Sequence, residues 1–243
     1  DVIICIPKMK THKKVGATLN IKLLVGINGD KNYLAHFRVG SEFNKGDEFP
    51  SSIKKDVAVK RRISRWMQDQ LLVKRTKLFD ALYLALKATG KLLFNFLEHL
   101  KLLGTSDKQD KIVGGNWYGN DTAWRMAADL SNIVMHADVY GKMNKEPQRK
   151  IFSIIDGIMA GEKDGPTAST PKEIGSLVSG EDILSVDTAC VSFMGFDYKK
   201  IKILFSLWDI KMKNLGYFVL EETKIVSNDN SLNEKNITNN IFK

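Results

Sequence analysis

The feature that most constrains the fold is a short apolar run at the start of the chain, residues 2–6, which stops at Pro7. A β-branched run halted by proline is typical of a buried strand whose end leads into a loop. The residues that follow are dense in cationic and polar side chains: Lys8, Lys10, Thr11, His12, Lys13 and Lys14. Because ligands in open α/β sheets bind outside the carboxyl ends of strands, we expect residues 8–14 to form a cationic, anion-binding loop.

The rest of the chain alternates strand-like and helix-like patterns. A second strand is predicted for residues 150–155, ended by a turn at Asp156 and Gly157. A loop punctuated by glycine and proline follows over residues 161–171, and α/β patterning resumes over residues 181–194. These patterns predict the α/β class, with a mixed sheet flanked by helices.

We expect one domain followed by a tail. Of the 243 residues, 43% are hydrophobic, which is enough for a sizeable core in a single α/β domain over residues 1–226. Residues 227–243 are rich in asparagine and serine and have little to bury, which predicts a disordered tail. Asp1 already lies in a strand pattern with no linker before it, so we expect the chain to lack its amino-terminal part.

A basic helical insertion is predicted at about residues 51–104. Apolar residues recur there at three- and four-residue steps. The lysines and arginines between them account for most of the excess of basic over acidic residues, which gives the chain a net charge of +9. Two interpretations stay open: a helical hairpin packed on the sheet with a solvated basic face, or a peripheral contact with an anionic membrane surface. No apolar run is long enough to span a membrane. Nucleic acid is not expected as a partner, because aromatic residues are not interleaved with the basic ones.

The two cysteines, Cys5 and Cys190, indicate a reducing compartment. They lie far apart in the sequence, and no Cys-x-x-Cys spacing is present. Both fall in apolar stretches, so we expect buried, unreactive thiols rather than an internal zinc or iron–sulfur site. This pattern favours a cytoplasmic protein.

Three segments gather polar groups after strand-like or apolar runs: residues 8–14 with Lys22, residues 116–125 and residues 156–166. If the sheet brings them to one edge, positive groups face carboxylates there: Lys8, Lys10, His12 and Lys22 against Asp156, Glu162 and Asp187. Such a mixture could bind phosphate through the lysines, or a metal through the histidine and the acids.

Each of these residues also has a purely structural interpretation. His12 beside three lysines fits a solvent-exposed loop residue, Asp156 before Gly157 fits a turn, and Asp187 fits the cap of a helix that begins near Thr188. The sequence contains no P-loop, dinucleotide fingerprint, nucleophile elbow or metalloprotease helix. The residues alone therefore leave the ligand and the reaction open.

Three stretches, in this order, resemble the uncharacterised family called domain of unknown function 362: IPKMKTHKKVGATLNIKLLVGINGDK, GGNWYGNDTAWRM and IIDGIMAGEKDGPTASTPKEIGSLVSGEDILSVDTACVSFMGFD. The resemblance covers residues 1 to about 197 and corresponds to the carboxyl-terminal two-thirds of that domain. Members occur mostly in bacteria and archaea, and some carry ferredoxin-like iron–sulfur modules. The family tends to have asparagine where this chain has Leu23, and glycine where it has Lys163.

Together, the charge pattern and the resemblance assign candidate residues to three roles. The candidate catalytic residues are His12, Lys10 and Asp187. The candidate cofactor-binding residues are Lys8, Thr11, Lys22, Asn116 and Gly165. The candidate metal ligands are His12, Asp156, Glu162 and Asp187. In this scheme the lysines neutralise the ligand, the histidine transfers a proton or binds metal, and the two aspartates bind metal or orient the histidine.

These residues lead to two hypotheses of different classes. The first is a cytoplasmic enzyme or enzyme component in redox-related metabolism that binds an anionic or metal-bound small molecule. Two cofactors remain open for this hypothesis: a divalent metal, or an iron–sulfur cluster supplied by a separate module. The resemblance implies a ferredoxin-like module of this kind as a partner. The second is a non-catalytic module that docks on an anionic membrane surface or a protein partner through the basic helices.

Overall fold

A computed structural model describes residues 1–53, 114–209 and 224–231, together with isolated positions between 58 and 112. Most of the predicted basic insertion and most of the predicted tail lie outside the described residues. The chain divides into two compact units. One joins Asp1–Arg38 to Gly115–Lys243, and the other is Val39–Gly114.

The first unit contains a mixed sheet of five strands: β1 Val2–Cys5, β2 Lys8–His12, β3 Gly16–Thr18, β4 Lys150–Asp164 and β5 Ala168–Gly180. β1 and β2 both pair with β4 in parallel, whereas β3 pairs with β2 and β5 pairs with β4 in the antiparallel sense. Helices flank this sheet, so the predicted α/β class is confirmed.

The predicted cationic loop after Pro7 is instead a strand. The backbone N–H of Asp156 donates to the carbonyl of Pro7 at 2.9 Å, and the register runs on from Cys5 opposite Ser153 to Lys8 opposite Asp156. Proline removes only a donor, and its carbonyl still accepts from the neighbouring strand. The sheet therefore continues through Pro7 and carries Lys8, Lys10 and His12 on β2, while Lys13 and Lys14 lie in the turn that follows.

The prediction that the first strand is buried holds for one face. Cys5 is buried, whereas Val2, Ile4 and Ile6 are 61% to 67% exposed. Successive side chains of a strand point to opposite faces of the sheet, so the apolar side chains of this run lie on both faces. A continuous apolar run thus does not by itself show that both faces are covered.

The second predicted strand is also longer than expected. β4 does not end at Asp156 and Gly157, and the predicted loop over residues 161–171 belongs mostly to the β4–β5 hairpin. A Cβ atom on Gly157 would lie 2.9 Å from the methyl carbon of Met9 and 3.0 Å from the carbonyl oxygen of Ser176. The glycine serves close packing within the strand rather than a turn.

The described α-helices of the first unit are α1 Asn20–Leu23, α2 Ala123–His136, α3 Ile183–Phe193 and α4 Lys202–Asp209. A 3₁₀ turn, Leu24–Ile27, extends α1. Asp182 is the N-cap of α3 and accepts from the backbone N–H of Ser185 at 2.9 Å. Asp187 consequently lies inside α3, and its predicted role as a cap near Thr188 is wrong.

One core joins the sheet to the helices. Met9 of β2 and Ile155 of β4 are fully buried, and they belong to the same apolar cluster as Leu184 and Val191 of α3. Cys5 and Cys190 are free and buried as predicted, and burial raises the pKa of both thiols, with the charge of Asp187 adding to the shift. Thiols in this environment are poor nucleophiles.

Further short turns complete the described structure. Residues 28–50 contain two 3₁₀ turns, Lys31–Tyr33 and Glu42–Asn44, and are otherwise irregular, as the sequence predicts. A third 3₁₀ turn, Tyr198–Lys200, precedes α4. Within the described residues, no helix has the length and apolar character needed to cross a bilayer.

Candidate functional site

His12, the last residue of β2, is the centre of the candidate site. It is 7% exposed, and its Nδ1 atom accepts a hydrogen bond from the backbone N–H of Lys14 at 3.1 Å. An accepting Nδ1 carries a lone pair, so the proton of the neutral ring sits on Nε2, which is then a donor. The pKa of His12 is lowered to about 3, first by burial and then by the charges of Lys22, Lys14, His36 and Lys10.

Lys22 lies on α1 and is half-buried. Burial lowers the pKa of its ammonium group, and the charge of Lys31 lowers it further. Among the residues that the structure describes, no carboxylate forms an ion pair with this group. A charge partly withdrawn from water without a counter-ion is unfavourable, and a bound anion would relieve that cost.

His36 lies close to the same groups. Its Nδ1 atom donates to the carbonyl of Leu34 at 2.9 Å. Burial lowers the pKa of His36, and Lys14 and Lys22 act in the same direction, whereas the Leu34 hydrogen bond opposes the shift. The ammonium nitrogen of Lys14 lies 5.6 Å from the ring centre of Phe37. We define the cationic cluster as the four residues His12, Lys14, Lys22 and His36.

Asp187 holds the start of α1. Its Oδ1 atom accepts from the backbone N–H of Asn20 at 2.9 Å and from Nδ2 of Asn20 at 2.8 Å, and its Oδ2 atom accepts from the backbone N–H of Ile21 at 3.0 Å. Oδ1 of Asn20 accepts in turn from the hydroxyl of Ser153 at 2.8 Å. Burial raises the pKa of Asp187 to about 7, against the hydrogen bonds from Ile21 and Asn20. Asp187 thus positions Lys22 through the backbone of α1.

Asn120 joins the segment around His36 to the start of α2. Its Nδ2 atom donates to the carbonyl of His36 at 2.9 Å and to that of Gly115 at 3.1 Å. Its Oδ1 atom accepts from the backbone N–H groups of Thr122 and Ala123 at 3.1 and 2.9 Å. This fully buried amide fixes the irregular segment that carries His36.

Two predicted lysines make contacts with the β4–β5 hairpin. Nζ of Lys8 forms an ion pair with Asp156 at 2.5 Å, and this pair lowers the pKa of the Asp156 carboxyl. Nζ of Lys10 donates to the carbonyl of Pro166 at 3.2 Å. Lys10 lies near enough to His12 to act on its pKa, whereas Lys8 and Asp156 form a pair of their own.

The structure also places three of the predicted cofactor-binding residues: Thr11, Gly165 and Asn116. The hydroxyl of Thr11 donates to the carbonyl of Lys163 at 2.9 Å. Gly165 is buried against the carbonyl of Thr11, where any Cβ atom would collide with it. Asn116 is half-buried in the loop before α2, and none of the described residues forms a hydrogen bond with its side chain.

The predicted metal ligands are spread over three elements: His12 on β2, Asp156 and Glu162 on β4, and Asp187 on α3. Glu162 of β4 pairs with Lys172 at 3.2 Å, and Asp187 is enclosed on α3. Over the described part of the chain, no three His, Cys, Asp or Glu side chains come together in a way that could hold a metal ion. His12 cannot offer an Nε2 lone pair while Nδ1 accepts from Lys14, because a neutral ring keeps one proton.

The donors of the cationic cluster are of the chemical kind that suits an anion. Lys22 supplies a half-buried charge, and Nε2–H of His12 supplies a neutral donor held in a fixed orientation. A pKa near 3 keeps His12 uncharged at neutral pH, which suits a donor better than the proton-transfer role predicted for it. Sequence reasoning missed His36, whose signal is its place in a long irregular segment.

These features define an α/β protein with a mixed sheet and a partly buried cationic cluster built from β2, α1 and the segment around His36. The sequence model of the family described as domain of unknown function (DUF362) matches residues 1–192, and the chain belongs to this family. A comparison with curated proteins found no match, and neither did a comparison with solved structures.

Proposed function

We propose that this protein binds an anionic small molecule at the cationic cluster. The observation that carries the proposal is the ammonium of Lys22, which is half-buried and has no carboxylate partner among the described residues. Asp187 holds α1 in place through three hydrogen bonds, so this charge is positioned before any ligand arrives.

The ligand would meet two kinds of group in this site. Lys22 attracts it by charge, and Nε2–H of His12 donates a hydrogen bond in a direction fixed by the Lys14 amide. Two of the predicted carboxylates do not oppose Lys22, since Asp156 pairs with Lys8 and Glu162 pairs with Lys172. The site therefore favours an anion over a metal-bound ligand.

The biological setting remains part of the proposal. Redox-related metabolism, a ferredoxin-like partner and an origin in bacteria or archaea follow from the family resemblance, and we retain them as the context in which the anion is bound. The two free, buried cysteines favour a reducing compartment such as the cytoplasm. Docking through the basic insertion depends on residues outside those described, and we do not prefer it.

Isothermal titration calorimetry of the full chain tests this site. Phosphate, sulfate and succinate would be titrated into the wild type, Lys22→Gln and Lys172→Gln. We expect Lys22→Gln to weaken anion binding by about 10- to 100-fold, which is the usual range for a charge-assisted hydrogen bond. Lys172, an exposed strand residue paired with Glu162, is the matched control and should bind like the wild type. Equal affinity in all three proteins, or no binding at all, would reject the site.

A further inference from the structure

A cleft of about 840 Å³ lies at the end of the sheet where β4 begins and β5 ends. Its apolar wall is formed by side chains of β1, α2 and β4: Val2, Met135, Ile151 and Phe152. Small-molecule sites have volumes of roughly 300 to 1,000 Å³, with mostly apolar walls and a few well-placed polar groups. The cleft has the size and the walls of such a site, and no residue that lines it belongs to the cationic cluster.

Arg149 supplies a fixed positive group to this cleft. It is half-buried, and its Nη1 atom donates to the carbonyls of Val134 and Ala137 at 2.9 and 2.5 Å. These carbonyls lie at the C-terminal end of α2, where a helix has no N–H groups left to offer them. Arg149 is close enough to Asp138 for its charge to be felt there, but no carboxylate in the described part of the chain forms an ion pair with it.

The other edge of this guanidinium has no acceptor. Nε and Nη2 of Arg149 form no hydrogen bond with any of the residues that the structure describes. A guanidinium edge of this kind fits a planar carboxylate, to which it donates two parallel hydrogen bonds. Arg149 can therefore hold a carboxylate without giving up its contacts with α2.

Two carboxylates line the same cleft at the start of α3. Asp182 is 7% exposed, and its Oδ2 atom accepts from the backbone N–H and the hydroxyl of Ser185. Its Oδ1 atom has no hydrogen-bond donor within the described structure. Glu181, the residue before it, is exposed and forms no ion pair with another described residue. A buried carboxylate oxygen without a donor is unfavourable, and an ammonium group in the cleft would offset that cost.

The opposite charges of the cleft lie at the same end of the sheet without forming an ion pair. Ser153 of β4 faces Gly180 of β5, and the chain continues from Gly180 to Asp182 in the direction of Arg149. Asp1 and Lys150 also line the cleft and add one side-chain charge of each sign. Because positive and negative groups balance, the cleft suits a ligand that carries both charges better than a simple anion or cation.

We propose that this cleft binds an apolar zwitterion, which is the chemistry shared by free amino acids with apolar side chains and by short apolar peptides. The carboxylate of the ligand accepts from Nε and Nη2 of Arg149, and its ammonium group faces Asp182 and Glu181. Its side chain packs against the wall that contains Met135 and Phe152. This site goes beyond the anion site proposed above and does not depend on it.

The test is calorimetry of the full chain at neutral pH with phenylalanine and three compounds that each lack one of its features. 3-Phenylpropionate lacks the ammonium group and phenethylamine lacks the carboxylate, so each should bind about tenfold more weakly or worse. Glycine lacks the side chain, and losing the burial of an aromatic ring should weaken it by about tenfold or more. A parallel titration with glycylphenylalanine identifies the source: tighter binding than phenylalanine indicates a peptide, and weaker binding indicates a free amino acid.

Three variants connect these affinities to the cleft. Asp182→Ser keeps an N-cap on α3 and removes the carboxylate, so it should weaken phenylalanine about tenfold without weakening 3-phenylpropionate. Glu181→Gln, at an exposed position, should act in the same direction without touching the cap. Arg149→Lys keeps the charge and loses the two-pronged contact, so it should weaken phenylalanine and leave phenethylamine unchanged. Glu173→Gln, at an exposed position of β5 outside the cleft, is the control and should bind like the wild type.

Three results would overturn the assignment. If 3-phenylpropionate binds as tightly as phenylalanine, the ligand is a carboxylate and the zwitterion is wrong. If phenylalanine binds the wild type, Arg149→Lys and Asp182→Ser equally, it binds outside the cleft. If none of these compounds binds, the cleft is not a site of this kind. None of these results involves Lys22, so the anion site is accepted or rejected by its own titration.

Discussion

At the scale of single residues, His12 shows how one hydrogen bond determines what a side chain can do. Three neighbouring lysines indicate an exposed histidine in the sequence, yet His12 is 7% exposed because β2 continues the sheet past Pro7. The amide of Lys14 occupies Nδ1 and leaves Nε2 as a donor. The sequence could predict that His12 lies in the site, but its protonation depends on burial that no local pattern reveals.

The stability of the protein should depend on pH through His12. Its pKa is about 3 when folded, below the usual 6.5, so the unfolded chain binds a proton that the folded protein does not. Stability should therefore fall as the pH drops from about 6.5 towards 3, by up to about 1.4 kcal/mol per pH unit from this residue. Urea denaturation between pH 4 and 7 should show a steeper fall for the wild type than for His12→Asn. Parallel curves would contradict the buried, neutral histidine.

Lys163 is a residue whose backbone conformation suits glycine. Its φ angle is +64°, in the left-handed region that costs other residues about 1 kcal/mol or more. The glycine that the resemblance implies for the family at this position would adopt that angle without strain. Lys163→Gly should raise the free energy of unfolding by about 1 kcal/mol, measured by chemical denaturation.

A matched control distinguishes this effect from a general tolerance of glycine. Glu173 is an exposed residue of β5, where glycine lowers stability by roughly 0.5 to 1 kcal/mol. Glu173→Gly should therefore be destabilising. The explanation from backbone strain is wrong if Lys163→Gly is destabilising to the same extent.

At the scale of secondary-structure elements, the sequence located where strands begin better than where they end. β1 and the start of β4 lie where the apolar runs predict them. The extension of β4 to Asp164 was missed, because Gly157 and Gly161 read as turn residues when their close neighbours across the sheet are unknown. α1 was also missed, since four residues give no periodicity and the anchor Asp187 is 167 positions from Asn20.

Two aspartates near the start of α3 should differ in their effect on stability. Asp187→Ala removes three hydrogen bonds and leaves the buried backbone N–H groups of Asn20 and Ile21 without an acceptor, which should cost roughly 2 to 4 kcal/mol. Asp182→Ala removes an N-cap and should cost about 1 kcal/mol. Thermal and urea denaturation at pH 8 would measure both. If Asp187→Ala lowers the free energy of unfolding no more than Asp182→Ala does, Asp187 is not the anchor of α1.

At the scale of the whole molecule, the candidate site depends on contacts between distant parts of the chain. His12 and Lys22 come from one continuous stretch that the sequence singled out, and this part of the site could be predicted. His36 could not, because it is fixed by Asn120, 84 positions further along the chain. The predicted carboxylates were assigned to the same edge by analogy with α/β sheets. Asp156 does face one of the predicted lysines, Lys8, whereas Glu162 pairs with Lys172, which was not among them.

The most direct test of the account is to locate a bound anion in a crystal. Crystals of the full chain soaked in selenate, a tetrahedral dianion with an anomalous signal, would show where such an anion binds. We predict a selenium peak with selenate oxygens within about 2.7 to 3.2 Å of Nε2 of His12 and Nζ of Lys22. A peak elsewhere on the described structure, with none at the cationic cluster, would contradict the central claim.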